Sequence, residues 1–233
     1  MKYKKVLIKF SGESFGKRKQ KIDYLKVQPI VQEIKLLRKA KVLVAVVCGG
    51  GNVSRWRDVK KGNRVAVDYR GMKGTLANAI FLEKLLKKAR VPVQLYTSFA
   101  IKSKYPHFEY SKTQKDLKQG KVLIFAGGTG YPFFTTDTVA VLYSLIIGAD
   151  LFIKATKVDG VFSADPFKHP TAKRFTRIST KEYLKKKLKV VDQFAIYLAQ
   201  ENKLLIKVIK WQAGAVIDSG SGKTKGTTIY PLK

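Results

Sequence analysis

The sequence contains little cysteine and no long hydrophobic run. Cys48 is the single cysteine among 233 residues, which excludes an internal disulfide. No apolar stretch reaches the roughly 18 residues of a membrane span, and no signal-peptide pattern is present. These absences predict a soluble, cytoplasmic protein that does not associate with a membrane. The length and the 45% content of hydrophobic residues suffice for one globular unit with a full core.

Histidine is also scarce, and one apparent nucleotide motif is incomplete. His107 and His169 stand alone, so with a single cysteine they form neither a metal-ligand cluster nor a Cys-His nucleophile pair. The segment 220–224 looks like the end of a P-loop, but Ile217 occupies the position of its first glycine. The few residues that follow leave no room for the helix that a P-loop requires. We interpret this segment as a hairpin turn.

Acidic residues are few. The sequence has 47 Lys and Arg against 16 Asp and Glu, which gives a net charge of +31. The basic residues are scattered over helix faces and loops, with only short runs such as residues 185–187, and this pattern favours a solvated basic surface. Non-specific nucleic-acid binding is the main alternative, and association with a membrane surface is a lesser one.

Short apolar runs alternate with amphipathic segments along the chain. The runs, at residues 6–10, 42–47, 93–96, 121–126 and 151–154, are typical of buried parallel strands. Apolar residues three and four apart predict helices around residues 27–37 and 76–85. Further helices at 180–187 and 192–201 and a last strand at 205–209 follow. The alternation predicts an α/β fold, a three-layer α/β/α sandwich with a mainly parallel central sheet, whose ligands lie beyond the carboxyl ends of the strands.

Two glycine-containing motifs follow the first two predicted strands. Lys9, Ser11 and Gly12 place a cation and a flexible turn at a strand end, which suits a phosphate but is equally compatible with a surface lysine beside an ordinary turn. The second strand runs into three glycines at 49–51, followed by Arg55. Consecutive glycines expose backbone N–H groups, and arginine binds phosphate in a bidentate manner. We interpret this loop as a phosphate cradle, with a merely tight turn as the alternative.

Two further motifs follow later strands. The segment 127–137 combines glycines, hydroxyls and aromatic residues that can surround a polar ligand, and it ends at Asp137. Asp137 is a candidate catalytic residue and also a candidate N-cap of the next helix. Lys154 ends another strand, and opposed Lys9 and Lys154 suit the transfer of a highly anionic group. Two solvent-exposed lysines remain the alternative interpretation.

Taken in order, these four blocks resemble the bacterial-type UMP kinases of the amino acid kinase family, over residues 5–230. The blocks at 128–137 and 154–162 are the most specific. The resemblance implies transfer of the ATP γ-phosphoryl group to UMP, with Mg²⁺ carried by ATP and no metal ligand from the protein. It implies one domain over residues 1–233, in which 1–150 mainly binds UMP and 151–233 mainly binds the ATP nucleoside. It also implies a homohexamer.

The resemblance also implies roles for individual residues. Lys9, Asp137 and Lys154 are the expected catalytic residues. The expected ATP-binding residues are Lys9, Phe10, Ser11, Gly12, Gly51, Arg55, Thr156, Phe162 and Asp165. The expected UMP-binding residues are Gly50, Asp68, Thr129, Gly130, Tyr131, Pro132, Phe133, Phe134, Thr135 and Thr136, and Arg55 is also expected along the UMP phosphate.

The sequence departs from the family pattern at several positions. Tyr131 stands where relatives usually carry asparagine, Trp56 where glycine is usual, and Lys73-Gly74 where a Leu-Ala pair is expected. These changes bear on base selectivity. The helix around Glu83 lacks the Arg-Asp pair expected at a GTP regulatory site, so we expect a hexamer without the GTP response.

Two other functions remain open at this point. An aspartate, glutamate or carbamate kinase of the same fold would keep Lys9 and the glycine loop, but would not be expected to carry the 129–137 block. A basic nucleic-acid-binding regulator on a kinase scaffold is the second alternative, motivated by the net charge of +31. The intact trio of Lys9, Asp137 and Lys154 argues against an inactive scaffold.

Overall fold

The computed structural model describes residues 2–17, 22–59, 61–99, 105–221 and 226–232. The strands are β1 (Lys5–Phe10), β2 (Leu43–Cys48), β3 (Val93–Thr97), β4 (Val122–Ala126), β5 (Leu151–Thr156), β6 (Val161–Phe162), β7 (Arg174–Phe175), β8 (Arg177–Ser179), β9 (Ile206–Lys210) and β10 (Thr227–Tyr230). The helices are α1 (Tyr24–Lys39), α2 (Arg64–Lys88), α3 (Tyr110–Lys118), α4 (Thr136–Ile147), α5 (Thr180–Lys185), α6 (Gln193–Glu201) and α7 (Ala215–Ser221).

Eight strands form one sheet in the order β3-β4-β2-β1-β5-β9-β10-β8. The first six are parallel, whereas β10 runs antiparallel to β9 and pairs in parallel with β8. Strands β6 and β7 form a separate antiparallel pair. The carboxyl ends of β1, β2, β4 and β5 therefore meet at one edge of the sheet, where all four sequence motifs begin.

Helices cover both faces of this sheet. Alternate strand residues point to opposite faces, so Val6 and Ile8 join one hydrophobic cluster while Leu7 joins the other. The first cluster packs against α1, α2 and α7, and the second against α3, α4, α5 and α6. The predicted three-layer α/β/α sandwich is confirmed. The five strands predicted from apolar runs are found within two residues of their expected bounds.

Helix α2 begins well before the apolar spacing predicted. Its N-cap is Asn63, whose side-chain oxygen accepts a hydrogen bond from Ala66 N at 3.2 Å. The helix therefore contains Asp68 in its second turn. Its early turns are the part that faces the cleft described below, and their polar composition hid the helix from a pattern based on apolar residues.

The predicted hairpin turn at 220–224 is wrong where the structure describes it. Gly220 and Ser221 end helix α7, and residues 222–225 lie outside the described residues. Buried Glu33 of α1 accepts hydrogen bonds from the backbone N–H groups of Gly214 and Ile217, the latter at 2.8 Å. A carboxylate from another element thus satisfies donors at the start of α7, and no local sequence signal reveals such a cap.

Candidate active site

A large cleft of about 1040 Å³ lies over the carboxyl ends of the parallel strands. Its wall includes residues from all four glycine and lysine motifs. The volume is at the upper end of the range for small-molecule pockets, about 300–1,000 Å³. Ligands of α/β proteins are expected at this edge of a parallel sheet.

Lys9 and Lys154 lie side by side at the floor of the cleft. They are register partners on the adjacent parallel strands β1 and β5, so their side chains leave the same face of the sheet. Asp137, in the first turn of α4, binds both. Lys9 Nζ lies 3.1 Å from Asp137 Oδ1, and Lys154 Nζ donates to Asp137 Oδ2. The prediction that the two lysines come together in one cleft is confirmed, and the alternative of two solvent-exposed lysines is wrong.

Burial and mutual charge set the ionisation of this trio. All three side chains are less than one-tenth exposed. Burial alone would raise the pKa of Asp137, but the charges of Lys154 and Lys9 lower it to about 2. Burial lowers the pKa of Lys154 to about 8, with the charge of Lys9 acting in the same direction and Asp137 opposing both. Two cations share one carboxylate, so the floor of the cleft carries a net positive charge.

The segment before α6 supports the trio, and sequence reasoning missed it. Lys154 Nζ also donates to the carbonyl of Val190. Asp192 accepts from the hydroxyls of Thr135 and Thr138, the latter at 3.1 Å, and caps α6 by accepting from Ala195 N at 2.9 Å. Asp192 thereby links the start of α4, which carries Asp137, to the start of α6. An N-cap pattern before α6 was readable in the sequence, but its link to a segment more than 50 residues away was not.

Helix α4 is capped by a residue other than the one proposed from the sequence. Thr135 is the N-cap, and its hydroxyl accepts from the backbone N–H groups of Asp137 at 3.1 Å and Thr138 at 3.3 Å. Asp137 is the second residue of the helix. The alternative of Asp137 as an N-cap is therefore wrong, because its carboxylate is directed to the two lysines.

The first two motifs touch each other beside the lysines. Gly49 N donates to Phe10 O at 2.8 Å, and a Cβ on Gly12 would lie only 2.5 Å from Gly51 N. Ser11 Oγ donates to Ala155 O at 3.3 Å. The two turns can approach this closely because both are glycine-rich, and they bring backbone N–H groups next to the cationic floor. Phe10 itself is fully buried and packs edge-on against Trp211, with ring centroids 4.9 Å apart, so its side chain does not line the cleft.

The glycine loop is fixed from below and bordered by an ion pair. Asn78 of α2 donates to Gly49 O at 2.7 Å, and its amide pairs with that of Asn52. Arg55 Nη2 donates to Glu13 Oε1 of the neighbouring turn at 2.6 Å. The guanidinium therefore lies beside the glycines, as the phosphate-cradle interpretation requires, with a carboxylate partner that the sequence did not reveal.

The segment 127–135 forms the far wall. Gly127, Gly128 and Gly130 have left-handed φ angles of 87°, 68° and 84°, which explains the glycines at these positions. The residues of this block that line the cleft are Gly128, Thr129, Tyr131, Phe134, Thr135 and Thr136. Gly130, Pro132 and Phe133, also predicted to bind UMP, are not among the residues that line the cleft. Tyr131 is 71% exposed, so it stands at the mouth of the cleft.

The opposite end of the cleft is built from the segment after β5. Thr156, Phe162 and Asp165, the residues expected at the ATP nucleoside, all line it. Asp165 Oδ1 accepts from Phe167 N at 3.0 Å, and Lys157 Nζ lies 5.0 Å from the centre of the Phe167 ring. This end therefore offers aromatic surface next to polar groups.

The described part of the chain contains neither a cluster of metal-ligating side chains nor a membrane-spanning helix. No group of three or more His, Cys, Asp or Glu there could hold a metal ion. No helix in those same ranges is long and apolar enough to cross a membrane.

Comparison with known proteins gives consistent matches over nearly the full length. The model of the amino acid kinase family matches residues 4–210. The uridylate kinase of Legionella pneumophila (strain Paris) is 40% identical over 233 residues, which cover 98% of this chain and 94% of the relative. That of Helicobacter hepaticus (strain ATCC 51449 / 3B1) is 41% identical, with 94% of each chain covered. The crystal structure of UMP kinase from Bacillus anthracis superposes with a TM-score of 0.94 at 28% identity, covering 100% of this chain and 98% of the other. The UMP kinase structure from Ureaplasma parvum gives 0.91 at 28% identity, with 99% and 100% covered.

Proposed function

This chain belongs to the amino acid kinase family, and from that premise we propose that it is a UMP kinase, which transfers the γ-phosphoryl group of ATP to UMP and yields UDP and ADP. The uridylate kinases and UMP kinases that resemble it over nearly its whole length support the choice of acceptor. They also argue against an aspartate, glutamate or carbamate kinase.

The observation that carries the proposal is the pair of buried lysines bound to one carboxylate. Phosphoryl transfer requires positioning and charge neutralisation more than covalent chemistry by the protein. Lys9 and Lys154 present two ammonium groups at one point of the cleft. In this proposal they neutralise the oxygens of the transferring group, and Asp137 orients both. A carboxylate held by two cations stays ionised, so Asp137 acts as an anchor and not as a proton donor.

The two nucleotides occupy opposite ends of the cleft in this proposal. The ATP phosphates lie beside Ser11 and on the backbone N–H groups of Gly12 and Gly51, and the ATP nucleoside lies against Thr156, Phe162 and Asp165. The UMP phosphate lies near Gly50 and Arg55, its ribose near Asp68, and its base within residues 129–136. The division at residue 150 into acceptor and nucleotide parts is thus an approximate one, because the ATP phosphates also contact the first part.

The donor set suits a metal that arrives with the nucleotide. Lysines and glycine N–H groups surround the phosphate position, and both ammonium groups engage the nearby Asp137. Magnesium carried by the ATP phosphates would add positive charge at the transferring group. The hexamer remains a prediction from the family resemblance, and the absence of the GTP response remains a prediction from the departure around Glu83. The cytoplasmic location remains a prediction from the composition of the sequence.

The test is an ADP-release assay with Mg-ATP and a panel of acceptors: UMP, CMP, dUMP, aspartate and carbamate. Moderate salt screens the basic surface. We expect strong preference for UMP. Turnover with no nucleoside monophosphate would overturn the proposal, and preference for CMP would overturn the choice of base.

A matched pair of lysine variants tests the mechanism. Lys154→Met should lower kcat about 10²- to 10³-fold, the range for loss of one preorganised group that stabilises transition-state charge. Lys210→Met is the control, because Lys210 ends the neighbouring strand β9, is the register partner of Thr156 and is exposed outside the cleft. Near-normal turnover in Lys154→Met would remove Lys154 from the mechanism.

A further inference from the structure

Three segments of the acceptor end of the cleft meet at Arg64, in the first turn of α2. The Arg64 guanidinium carbon lies 5.4 Å from the centre of the Trp56 ring and 5.5 Å from that of the Phe133 ring. Arginine stacks on aromatic faces in this way. Arg64 therefore joins the segment after the glycine loop, helix α2 and the segment 127–135.

The same arginine fixes Asp68, the residue expected to bind the ribose. Arg64 Nε donates to Asp68 Oδ2 at 2.8 Å, and the backbone N–H of Phe133 donates to the same oxygen at 2.9 Å. Both described hydrogen bonds are accepted by Oδ2, so Oδ1 is the oxygen that can accept a hydrogen bond from a ligand hydroxyl. Asp68 lines the cleft together with Trp56 and Arg64.

Phe133 adopts a backbone conformation that needs outside support. Its φ angle of 73° is in the left-handed region, which is sterically unfavourable for a non-glycine residue. The ring is 63% exposed, so burial in the core does not hold it. The described contacts that hold Phe133 are its N–H bond to Asp68 and its ring contact with Arg64.

We propose that Arg64 is a positioning residue for the acceptor nucleotide, which sets the affinity for UMP and the preference for ribose over deoxyribose by holding Asp68 and the segment 127–135 in place. The inference rests on the proposed function and deepens it. Arg64 acts through Asp68 and Phe133, so it is distinct from the groups that contact the phosphates. Trp56, which departs from the family pattern, supplies one face of the stack.

The test compares Arg64→Gln and Arg64→Lys with the unchanged protein. Glutamine removes the charge and most of the stack, whereas lysine keeps a charge for Asp68 but lacks the planar face. We expect Arg64→Gln to raise the KM for UMP about tenfold, the equivalent of about 1.4 kcal/mol, with kcat and the KM for ATP within about twofold. Its preference for UMP over dUMP should fall, and Arg64→Lys should be intermediate.

The control is Lys87→Gln, which breaks another ion pair of the same helix. Lys87 and Glu83 have the same i,i+4 spacing and the same 2.8 Å separation, but lie far along α2 and outside the cleft. It should leave both KM values unchanged. An unchanged KM for UMP in Arg64→Gln, or an equal rise in the KM for ATP, would overturn the inference.

A binding measurement separates failure of this inference from failure of the proposed function. Calorimetry of UMP with the unchanged protein and each variant needs no turnover. If the unchanged protein binds UMP and the affinity is the same in both Arg64 variants, the inference is wrong while the proposed function stands. If the unchanged protein neither binds nor phosphorylates UMP, the proposed function is wrong and this inference falls with it. If Arg64→Gln does not fold, the KM and the affinity of Arg64→Lys for UMP test the inference instead.

Discussion

At the scale of single residues, Lys154 combines a structural contact with a reactive position. Its ammonium donates to Asp137 and to the carbonyl of Val190, while Lys9 repels it from the neighbouring strand. Burial lowers its pKa to about 8, so a sizeable fraction of the free protein lacks this proton at mildly alkaline pH. Its protonation is therefore coupled to the arrival of negative charge in the cleft.

This coupling predicts proton uptake when nucleotide binds. The phosphates of ATP favour the charged form of Lys154 and raise its pKa, so binding near pH 8 should draw a proton from solution, whereas at pH 6.5 Lys154 is already protonated. Calorimetry of a non-hydrolysable ATP analogue with Mg²⁺ in two buffers of different ionisation enthalpy measures the protons exchanged. The uptake at pH 8 should exceed that at pH 6.5 and disappear in Lys154→Met. Equal proton counts in the variant and the unchanged protein at pH 8 would assign the uptake to another group.

The sequence located the charged residues of the floor but not what holds them. Lys9 and Lys154 each end an apolar run, and parallel strands end at one edge, so their proximity followed once the strands were identified. Val190 lies outside any recognisable motif, and the N-cap pattern at Asp192 does not indicate that this residue reaches the site. They reach the site because α6 packs against α4, a contact between helices distant in the chain. Local pattern carries no information about such packing.

At the scale of elements, the glycine loop and α2 depend on each other. A Cβ on Gly50 would lie 2.1 Å from the carbonyl oxygen of Gly71 in α2. That oxygen belongs to the helix backbone, so the clash cannot be relieved by the movement of a side chain. Gly50→Ala should therefore push the loop off the helix, raise the KM for UMP about tenfold or more and lower the melting temperature.

Gly71→Ala provides the comparison for that variant. A Cβ on Gly71 would meet its nearest neighbour, Ser54 O, at 3.3 Å, so a shift of a few tenths of an ångström accommodates it. Gly50→Ala should therefore change both the KM for UMP and the melting temperature much more than Gly71→Ala does. A larger effect of Gly71→Ala than of Gly50→Ala would show that the close packing of Gly50 against α2 is not the reason for glycine in the loop.

The elements predicted correctly are those whose burial produces an apolar run or a regular spacing of apolar residues in the sequence. Strands β1 to β5 are nearly continuous apolar runs because both faces of the sheet are covered. The short strands β6, β7, β8 and β10 and helix α7 were not assigned. They depend on distant contacts, such as Val161 N donating to Thr227 Oγ1 at 2.8 Å and the Glu33 cap of α7. A tertiary contact of this kind determines the local structure without any local periodicity.

At the scale of the whole molecule, the net charge of +31 opposes folding through self-repulsion. Lys207 of β9 is a local example. It is half-buried, its ammonium lies 3.3 Å from Thr228 Oγ1, and burial lowers its pKa, with the charges of Arg174, Lys2 and Arg177 lowering it further. This concentration of positive charge raises the free energy of the folded state, and dissolved ions reduce the repulsion by screening it.

Salt should therefore stabilise the protein. Raising NaCl from about 0.03 M to about 0.3 M shortens the screening length to well below the roughly 10 Å found at 0.1 M, so the melting temperature should rise by several degrees. Lys207→Gln should raise the melting temperature at low salt, and this gain should shrink as salt is added, because the variant removes repulsion that salt also screens. Lys84→Gln, which removes the same charge from an exposed position of α2, controls for net charge alone. A melting temperature that does not respond to NaCl would contradict the role of self-repulsion, and equal gains in both variants would mean that only the total charge matters and not the cluster around Lys207.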